Sequence, residues 1–168
     1  LQSGQSILIH AAAGGVGHFA VQLAKWAGAY VIGTASRRNH DFLMDLGADE
    51  VIDYQAARFE DVVRKVDVVL DAVGGDTQER SWKTLAKGGI LISIVSQPSQ
   101  DQADSYGVCQ SFVFVRNNST QLAEIADLVD SGLLTPVIET VLPLSEAHRA
   151  QELSKAGHTR GKIVLRIV

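Results

Sequence analysis

Residues 6–25, SILIHAAAGGVGHFAVQLAK, decide the fold of this chain. Ser6–Ala11 is a short apolar run that predicts a buried β-strand, and Gly14–Gly17 predicts a tight turn directly after it. Beyond the turn, apolar residues recur every three or four positions and predict one face of a helix: Val16, Phe19, Ala20, Leu23 and Ala27. A strand, a glycine turn and a helix in this order predict the first unit of an α/β fold.

Further short apolar runs alternate with helical patterns along the chain. The predicted strands are Tyr30–Ala35, Glu50–Asp53, Asp67–Val73, Gly89–Val95 and Ser111–Val115. The predicted helices are a short one capped by Asn39, then Arg58–Lys65 and Thr77–Leu85, and one that carries Leu122 to Val129. Asn118 and Gln121 are placed like a capping pair at the start of this last helix. Polar Ser96–Gly107 is predicted as a loop. Because parallel strands need crossovers of this length, and because crossovers are right-handed, we expect a doubly wound six-stranded parallel sheet, a Rossmann fold.

The alternation ends after Gly132. Thr135–Leu144 is extended and holds two prolines, Glu146–Leu153 is helical, and Lys162–Val168 is a strongly apolar strand. We therefore expect one domain over residues 1–134 and a short C-terminal extension over residues 135–168 that belongs to another structural unit.

Composition limits the function classes. The 168 residues are 46% hydrophobic and 20% charged, with a net charge of −4, which predicts a globular chain and argues against nucleic acid or a membrane as partner. The single cysteine, Cys109, excludes an intrachain disulfide and is expected to be a buried thiol, and a cytoplasmic location fits this usage. No signal peptide or membrane span is visible, and Leu1 stands where a natural chain has Met, which favours an excised or processed piece.

The glycine turn has the spacing of a dinucleotide site. Residues 12–17, AAGGVG, fit the pattern G-x-G-x-x-G with Ala12 at the first glycine position. In such a turn Gly14 lets the backbone approach a pyrophosphate, the N–H groups of the helix start bind it, and Gly17 allows close packing of helix on strand. The alternative interpretation is a packing turn without a ligand.

The end of the second predicted strand discriminates between cofactors. NAD sites usually place an acidic residue there to bind the ribose 2′-OH. Here Ser36, Arg37 and Arg38 follow the strand, with no acid before Asp41. Guanidinium groups suit a 2′-phosphate, so the sequence favours NADP(H), although a solvated turn remains the alternative.

These stretches, together with LGADEVIDY, DVVLDAVGG, LAKGGILISI and GKIVLRIV, resemble the quinone oxidoreductase-like, zinc-independent branch of the medium-chain dehydrogenase/reductase superfamily. The resemblance implies that residues 1–134 are the NADP-binding Rossmann domain. It also implies that residues 135–168 normally complete a GroES-like catalytic domain, which is absent from this chain. Zinc-dependent relatives take their ligands mainly from residues before the Rossmann domain, so no metal site and no catalytic residue is assigned in this chain.

The resemblance also implies which residues bind the cofactor. Gly14, Gly15, Val16 and Gly17 would bind the pyrophosphate, and Ser36 and Arg37 the 2′-phosphate. Tyr54 would flank the adenosine, and Val73 and Gly74 would contact the nicotinamide ribose. Val95, Ser96 and Phe114 would line the nicotinamide side.

Two histidines and an aspartate near these predicted elements are further candidates for a role in the site. His10 lies in a predicted strand and is expected to be a hydrogen-bonded core residue. His18 follows the glycine turn and either approaches a phosphate or lies on the helix surface. Asp71 is expected to accept hydrogen bonds from nearby backbone N–H groups rather than to act as a base. No Tyr-x-x-x-Lys pair is present, which argues against a short-chain dehydrogenase.

The resulting expectation is the cofactor-binding part of an NADPH-dependent oxidoreductase that transfers hydride to a quinone, an electron-poor C=C bond or a carbonyl. Alternatives are an enoyl-thioester reductase, a relative of zinc-dependent alcohol dehydrogenases, and a non-catalytic NADPH-binding sensor or scaffold. The chain alone is expected to turn over poorly, because the substrate pocket belongs largely to the missing domain. An unpaired edge at Ser111–Val115, and the family resemblance, predict a homodimer through that strand.

Overall fold

A six-stranded parallel sheet organises the computed structural model, which describes residues 1–167. Its strands are β1 (Ser6–Ile9), β2 (Tyr30–Ala35), β3 (Glu50–Asp53), β4 (Val66–Asp71), β5 (Leu85–Ser93) and β6 (Cys109–Phe112). They are ordered β3-β2-β1-β4-β5-β6. The strands run outward from β1 to β3 on one side of the sheet and from β4 to β6 on the other, so the order reverses between β1 and β4. The predicted doubly wound Rossmann sheet is therefore confirmed.

Six helices connect or follow these strands: α1 (Gly17–Trp26), α2 (His40–Asp45), α3 (Phe59–Val62), α4 (Gly75–Ser81), α5 (Gln100–Tyr106) and α6 (Ser119–Asp130). The loop predicted over Ser96–Gly107 is wrong, because this segment contains α5. The Ser99 side chain caps its start by accepting from the Gln102 N–H. Ala103 is the one residue of α5 that is buried, so the hydrophobic pattern of this helix is too sparse to be seen in the sequence.

Four predicted elements end earlier than expected. β4 ends at Asp71 rather than Val73, and β5 at Ser93 rather than Val95, because the side chains of Asp71 and Ser93 accept from the N–H groups that follow. Helix α3 ends at Val62 rather than Lys65, which has a left-handed φ of 61°, and α4 ends at Ser81 rather than Leu85, which belongs to β5 and pairs with Val66 of β4.

Three further local predictions differ from the structure. β1 ends at Ile9 rather than Ala11. Ala11 has a φ of 50°, in the left-handed region, which is incompatible with an extended strand. β6 is Cys109–Phe112 rather than Ser111–Val115. Asn39 does not cap α2, since its side-chain amide donates to the Ser36 hydroxyl and its oxygen accepts from Arg160.

Both faces of the sheet are covered by apolar side chains. Ile7 and Ile9 pack with Val21 of α1 on one face. Leu8, which points the opposite way along the strand, packs with Trp82 on the other. This arrangement explains why the strands are apolar at almost every position, as parallel strands between two helical layers are.

Helix α6 packs far less closely than the others. The predicted cap is confirmed, since Asn118 Oδ1 accepts from the Gln121 N–H at 3.1 Å. However, no residue of α6 is buried, and Leu122 and Ile125 are 67% and 44% exposed. The helix therefore presents an apolar face to solvent.

The tail, residues 135–167, forms a second and smaller sheet. Its strands β7 (Ile138–Pro143) and β8 (Lys162–Arg166) pair in parallel, and α7 (Ala147–Lys155) connects them. The strand predicted over Lys162–Val168 thus ends at Arg166, while Val168 lies outside the described residues. That this tail completes a further domain stays a prediction.

No helix within residues 1–167 combines the length and the apolar character needed to span a membrane.

Candidate functional site

The glycine turn joins the central strand β1 to α1 by a very close approach. The Gly14 N–H donates to the Ala11 carbonyl oxygen at 2.9 Å and closes the turn. A Cβ on Gly17 would lie only 2.6 Å from Ala12 Cα, so a glycine alone lets the helix pass the strand here. At Gly14 the nearest atom to such a Cβ is the Ala11 oxygen at 3.2 Å, which leaves the outer side of the turn open.

The start of α1 is suited to an anion. The first N–H groups of a helix have no partner within the helix, and the helix dipole adds partial positive charge there. The first turn of α1 contains no acidic residue, and no side chain caps Val16 at the helix start. The arrangement can therefore bind a phosphate group.

A cavity of about 520 Å³ adjoins this turn, at the carboxyl ends of the strands. Of the predicted cofactor residues, the structure brings four to its wall, one from each of the four strand ends β1 to β4: Gly14, Ser36, Tyr54 and Val73. A cleft outside the carboxyl ends of parallel strands, at the point where the strand order reverses, is where doubly wound folds bind their ligands.

Arg37 does not line this cavity, whereas Arg38 does. The two side chains diverge because they occupy successive positions of a 3-10 turn. Arg37 Nη1 lies 3.4 Å from His40 Nδ1 on the exposed side. Arg38 donates to the His158 carbonyl oxygen, which holds its guanidinium at the cavity. The geometry therefore favours Arg38 over Arg37 as the partner of a 2′-phosphate.

The tail contributes residues that the sequence analysis missed. Arg160 Nε donates to Asn39 Oδ1 at 3.1 Å, and its Nη2 donates to the Arg38 carbonyl oxygen at 3.1 Å. The backbone of His158 also lies at the cavity. The sequence does show several basic residues just before β8 in a chain of net negative charge. No local pattern indicates that these residues lie at the end of β2.

Lys162 lies above the glycine turn. Its Nζ is 3.1 Å from the place where a Cβ on Gly15 would be. Together with Gly14 and Gly15 it lines a second cavity of about 490 Å³. Within residues 1–167 no carboxylate pairs with Lys162, so its charge is available to an anion at the turn.

The ends of β4 and β5 form the other side of the site. A Cβ on Gly74 would lie 3.2 Å from Val95 Cγ1 and 3.6 Å from Ser96 Oγ, so the predicted residues Val73 and Gly74 lie beside Val95 and Ser96. Gly74 has a φ of 79°, which favours glycine.

Asp71 is the residue that holds this turn. Its Oδ1 accepts from the N–H groups of Val73 and Gly74, and its Oδ2 accepts from Gln78 and Ser93. Burial raises the pKa of the Asp71 carboxyl, but the four hydrogen bonds outweigh it, so the pKa lies below its ordinary value. The prediction that Asp71 is a structural acceptor is confirmed.

Phe114 stands apart from the other predicted residues. It follows the end of β6, is 79% exposed, and lines neither cavity. The Val113 N–H just before it donates to the Ser93 carbonyl oxygen at 2.9 Å, so the backbone leaves the sheet at Phe114.

The remaining candidates are resolved by burial. His10 is a core residue as predicted: Nδ1 lies 3.1 Å from Thr34 Oγ1, Nε2 lies 2.9 Å from Ser81 Oγ, and burial lowers its pKa to about 4. His18 is fully buried, so the surface alternative is wrong. Cys109 is exposed, so the expected buried thiol is wrong as well.

Within residues 1–167 no three His, Cys, Asp or Glu side chains come together in a way that could hold a metal ion. We therefore assign no described residue to a zinc site.

Comparison with known proteins gives a consistent result. Residues 46–165 match a family model described as zinc-binding dehydrogenase. A mitochondrial NAD(P)H oxidoreductase of Mus musculus is 34% identical over 193 residues, which cover 98% of this chain and 48% of that protein.

Two solved structures share the fold over almost the whole chain. The quinone oxidoreductase from Coxiella burnetii is 37% identical with a TM-score of 0.93, covering 99% of this chain and 54% of that one. The Escherichia coli quinone oxidoreductase complexed with NADPH is 28% identical with a TM-score of 0.86, covering 99% and 58%. This chain thus spans about half the length of these three proteins.

Proposed function

This chain belongs to the zinc-binding dehydrogenase family, in the quinone oxidoreductase-like branch of the medium-chain dehydrogenase/reductase superfamily, and we propose that it is the NADPH-binding part of an oxidoreductase. Relatives named as NAD(P)H and quinone oxidoreductases support a nicotinamide cofactor and an oxidoreductase. The preference for NADPH and the nature of the hydride acceptor are the further content of the proposal.

The observation that carries the preference is the lining of the larger cavity. Its wall contains Arg38, Arg58 and Arg80 and not one Asp or Glu among the described residues. An NAD site would be expected to offer a carboxylate to the 2′-OH, and that carboxylate would repel a 2′-phosphate. Arg38 follows β2 and forms no ion pair within residues 1–167, whereas Arg58 and Arg80 are both paired with Glu60.

The chain's residues bind and orient, and the cofactor when bound supplies the hydride. The N–H groups at the start of α1 and the Lys162 ammonium would hold the pyrophosphate. Ser36 and Arg38 would hold the 2′-phosphate, and Tyr54 would flank the adenosine. The turn that Asp71 fixes would orient the nicotinamide ribose against Val73 and Gly74. We propose a quinone, an electron-poor C=C bond or a carbonyl as acceptor.

Calorimetric titration with NADPH and NADH tests the cofactor. We expect the wild-type chain to bind NADPH at least about tenfold more tightly than NADH, which is about 1.4 kcal/mol. Arg38→Ala should remove this difference, while the neighbouring Arg37→Ala serves as the matched control and should retain it. Equal dissociation constants for the two cofactors in the wild type would contradict the assignment.

The acceptor requires the longer protein that carries this chain. NADPH oxidation should be followed with quinones, enones and an enoyl thioester, because the chain alone is expected to bind the cofactor and turn over poorly. Faster turnover of the enoyl thioester than of any quinone would replace quinone reduction by enoyl reduction. Binding of NADPH without turnover of any of them would favour a sensor or scaffold. A cytoplasmic location also stays a prediction, since the mouse relative is named as mitochondrial.

We further propose a homodimer through β6, which is an edge strand of the six-stranded sheet and has one side without a partner strand among the described residues. The Val113 N–H donates to Ser93 of β5. Because successive N–H groups of a strand point to opposite sides, those of Gln110 and Phe112 point to the free edge. The edge thus lies slightly before the predicted Ser111–Val115. The exposed apolar face of α6 adds surface beside it.

Sedimentation measurements test the dimer. Phe112→Pro should weaken it, because the outward N–H is lost. Val115→Pro is the control, since Val115 is 79% exposed and lies beyond the strand. A monomer at micromolar concentration contradicts the proposal, and a dimer that is indifferent to Phe112→Pro places the interface elsewhere.

A further inference from the structure

His18 connects two parts of the molecule that are far apart in sequence. It lies in the first turn of α1 and is fully buried. Its Nδ1 is 2.8 Å from the carbonyl oxygen of Gly14, in the glycine turn. Its Nε2 is 3.3 Å from the backbone nitrogen of Val137, at the start of the tail. One imidazole ring therefore contacts both the glycine turn and the tail.

The two partners of His18 determine its protonation. A carbonyl oxygen can only accept, so Nδ1 must carry the hydrogen. A backbone N–H can only donate, so Nε2 must be the acceptor. Both contacts together require the neutral ring with its hydrogen on Nδ1. A doubly protonated ring would place an N–H group against the N–H of Val137 and break that contact.

The contact with Gly14 fixes the direction of a peptide group. The Gly14 carbonyl oxygen accepts from both the His18 ring and the His18 backbone N–H, the latter at 3.2 Å, and so it is held toward the helix. In a trans peptide the C=O and the following N–H point in opposite directions. The Gly15 N–H is therefore turned away from the helix, to the side where a phosphate would approach. Two successive glycines would otherwise allow this peptide many orientations.

The tail is held at the same place by neighbouring groups. Gln22, one turn after His18, donates to the Thr135 carbonyl oxygen at 3.1 Å and accepts from the Thr135 N–H at 2.7 Å. The Gly161 N–H donates to the Ala13 carbonyl oxygen at 2.9 Å, and the Lys162 N–H beside it donates to the Val137 carbonyl oxygen at 2.8 Å. The two segments of the tail that contact each other thus also contact α1 and the glycine turn.

We propose that His18 is a positioning residue that couples docking of the tail to binding of the cofactor. The proposal rests on the proposed function only for the identity of the ligand. Because one side chain orders both the phosphate-binding peptide and the start of the tail, ordering either one favours the other. Such a coupling is reciprocal, so NADPH must strengthen tail docking by the same factor by which the docked tail strengthens NADPH binding.

The coupling depends on pH through the His18 ring. Burial lowers the pKa of His18, the Gly14 carbonyl opposes this, and the charge of Lys162 lowers the pKa further. Lys162 on β8 is the charged group that faces the ring, since the glycine turn and the Val137 segment present backbone groups to it. The pKa of His18 therefore lies below that of a free imidazole, so the neutral ring and its contact with Val137 are favoured near neutral pH and are lost on acidification.

The first experiment concerns the wild-type chain without cofactor. Nitrogen-15 NMR distinguishes the two neutral tautomers of histidine. We expect a protonated Nδ1 and an unprotonated Nε2 for His18 near pH 7. The opposite tautomer, with the hydrogen on Nε2, would overturn the proposal. This result does not depend on whether the chain binds NADPH.

The second experiment compares His18→Asn with His148→Asn. An asparagine amide can still donate to Gly14 but is too short to reach Val137, and it does not titrate. We expect His18→Asn to weaken NADPH binding by about 3- to 10-fold at pH 7.5, the effect of one lost hydrogen bond. It should also flatten the fall in affinity that we expect of the wild type as the pH is lowered. His148 has a side chain that is 85% exposed on α7, so its replacement should change neither quantity.

The third measurement tests reciprocity. In the wild type, NADPH should slow hydrogen exchange at the Val137 amide, and in His18→Asn it should not. Unchanged affinity and unchanged exchange in His18→Asn would overturn the coupling. A wild-type chain that shows the expected tautomer but binds no NADPH contradicts the proposed function instead.

Discussion

The glycine turn and the tail meet at one site, yet they are built in opposite ways. The turn is closed by a bond between residues three apart, Gly14 and Ala11, and lies against a buried strand. The tail forms its decisive contacts across more than a hundred positions, as between Arg160 and Asn39, which are 121 residues apart. Local sequence therefore specifies the turn, whereas only the folded domain specifies where the tail lies.

The two regions also differ in their cores. The residues of β1 are almost completely buried between two helical layers. In the two-stranded sheet and α7 of the tail, Leu142 and Ala150 are the buried apolar residues among those described. So small a core contributes little stability, and the tail depends on its hydrogen bonds to α1, the glycine turn and the end of β2. Changes that fill the close contact between the turn and β1 should affect folding, whereas changes in the tail should affect docking and affinity.

The largest effect is expected at Gly17. A side chain there must occupy the place of Ala12 backbone atoms, so Gly17→Val should destabilise the fold by about 3 kcal/mol or more. Gly14→Val is the matched change, because its Cβ has more room on the outer side. We expect Gly14→Val to fold and to lose NADPH binding. Denaturant unfolding measures the stability of both variants, and calorimetry measures their NADPH affinity. Unchanged NADPH affinity in Gly14→Val would contradict a phosphate site at this turn.

The next effect concerns His10, beneath the cavity. Its pKa is about 4 in the folded chain and 6.5 without burial, so the unfolded state binds the proton first as pH falls. Stability is therefore complete above pH 6.5 and is lost as the pH falls toward 4, by about 3 kcal/mol. Urea unfolding between pH 7.5 and 4.5 measures this loss, which His10→Gln should reduce. An equal loss in both proteins would exclude His10 as its source.

A smaller effect is expected in the tail. Arg160→Ala removes two hydrogen bonds to the end of β2 and the stacking of the guanidinium 4.8 Å above the Phe42 ring. We expect tail docking to weaken by about 1–2 kcal/mol and NADPH affinity to fall severalfold, since Arg38 loses its support. Arg149→Ala is the control, because among residues 1–167 Arg149 pairs with Glu146 alone, on the exposed side of the tail. Matching behaviour of the two variants would contradict a role of the tail in the site.

The same contrast explains what could be predicted from the sequence. β1, the turn and α1 follow from hydrophobic periods and glycine spacing, and the strand order follows from the handedness of crossovers. Helix α5 was missed because Ala103 is its one buried residue. Arg38 could not be chosen over Arg37, since a 3-10 turn sets which of two neighbours points into the cavity. The contacts of Arg160 and His18 with distant segments leave no local pattern at all.

NADPH titration of the nitrogen-15-labelled chain, followed at individual backbone amides, tests whether the turn and the tail form one cofactor site. If turn and tail form one cofactor site, NADPH shifts the amides of residues 13–18 and those of residues 157–162 together, with one dissociation constant. NADH should do the same at least about tenfold more weakly. Shifts confined to the turn, with the amides of residues 157–162 unchanged at saturation, would contradict a cofactor site shared by the turn and the tail.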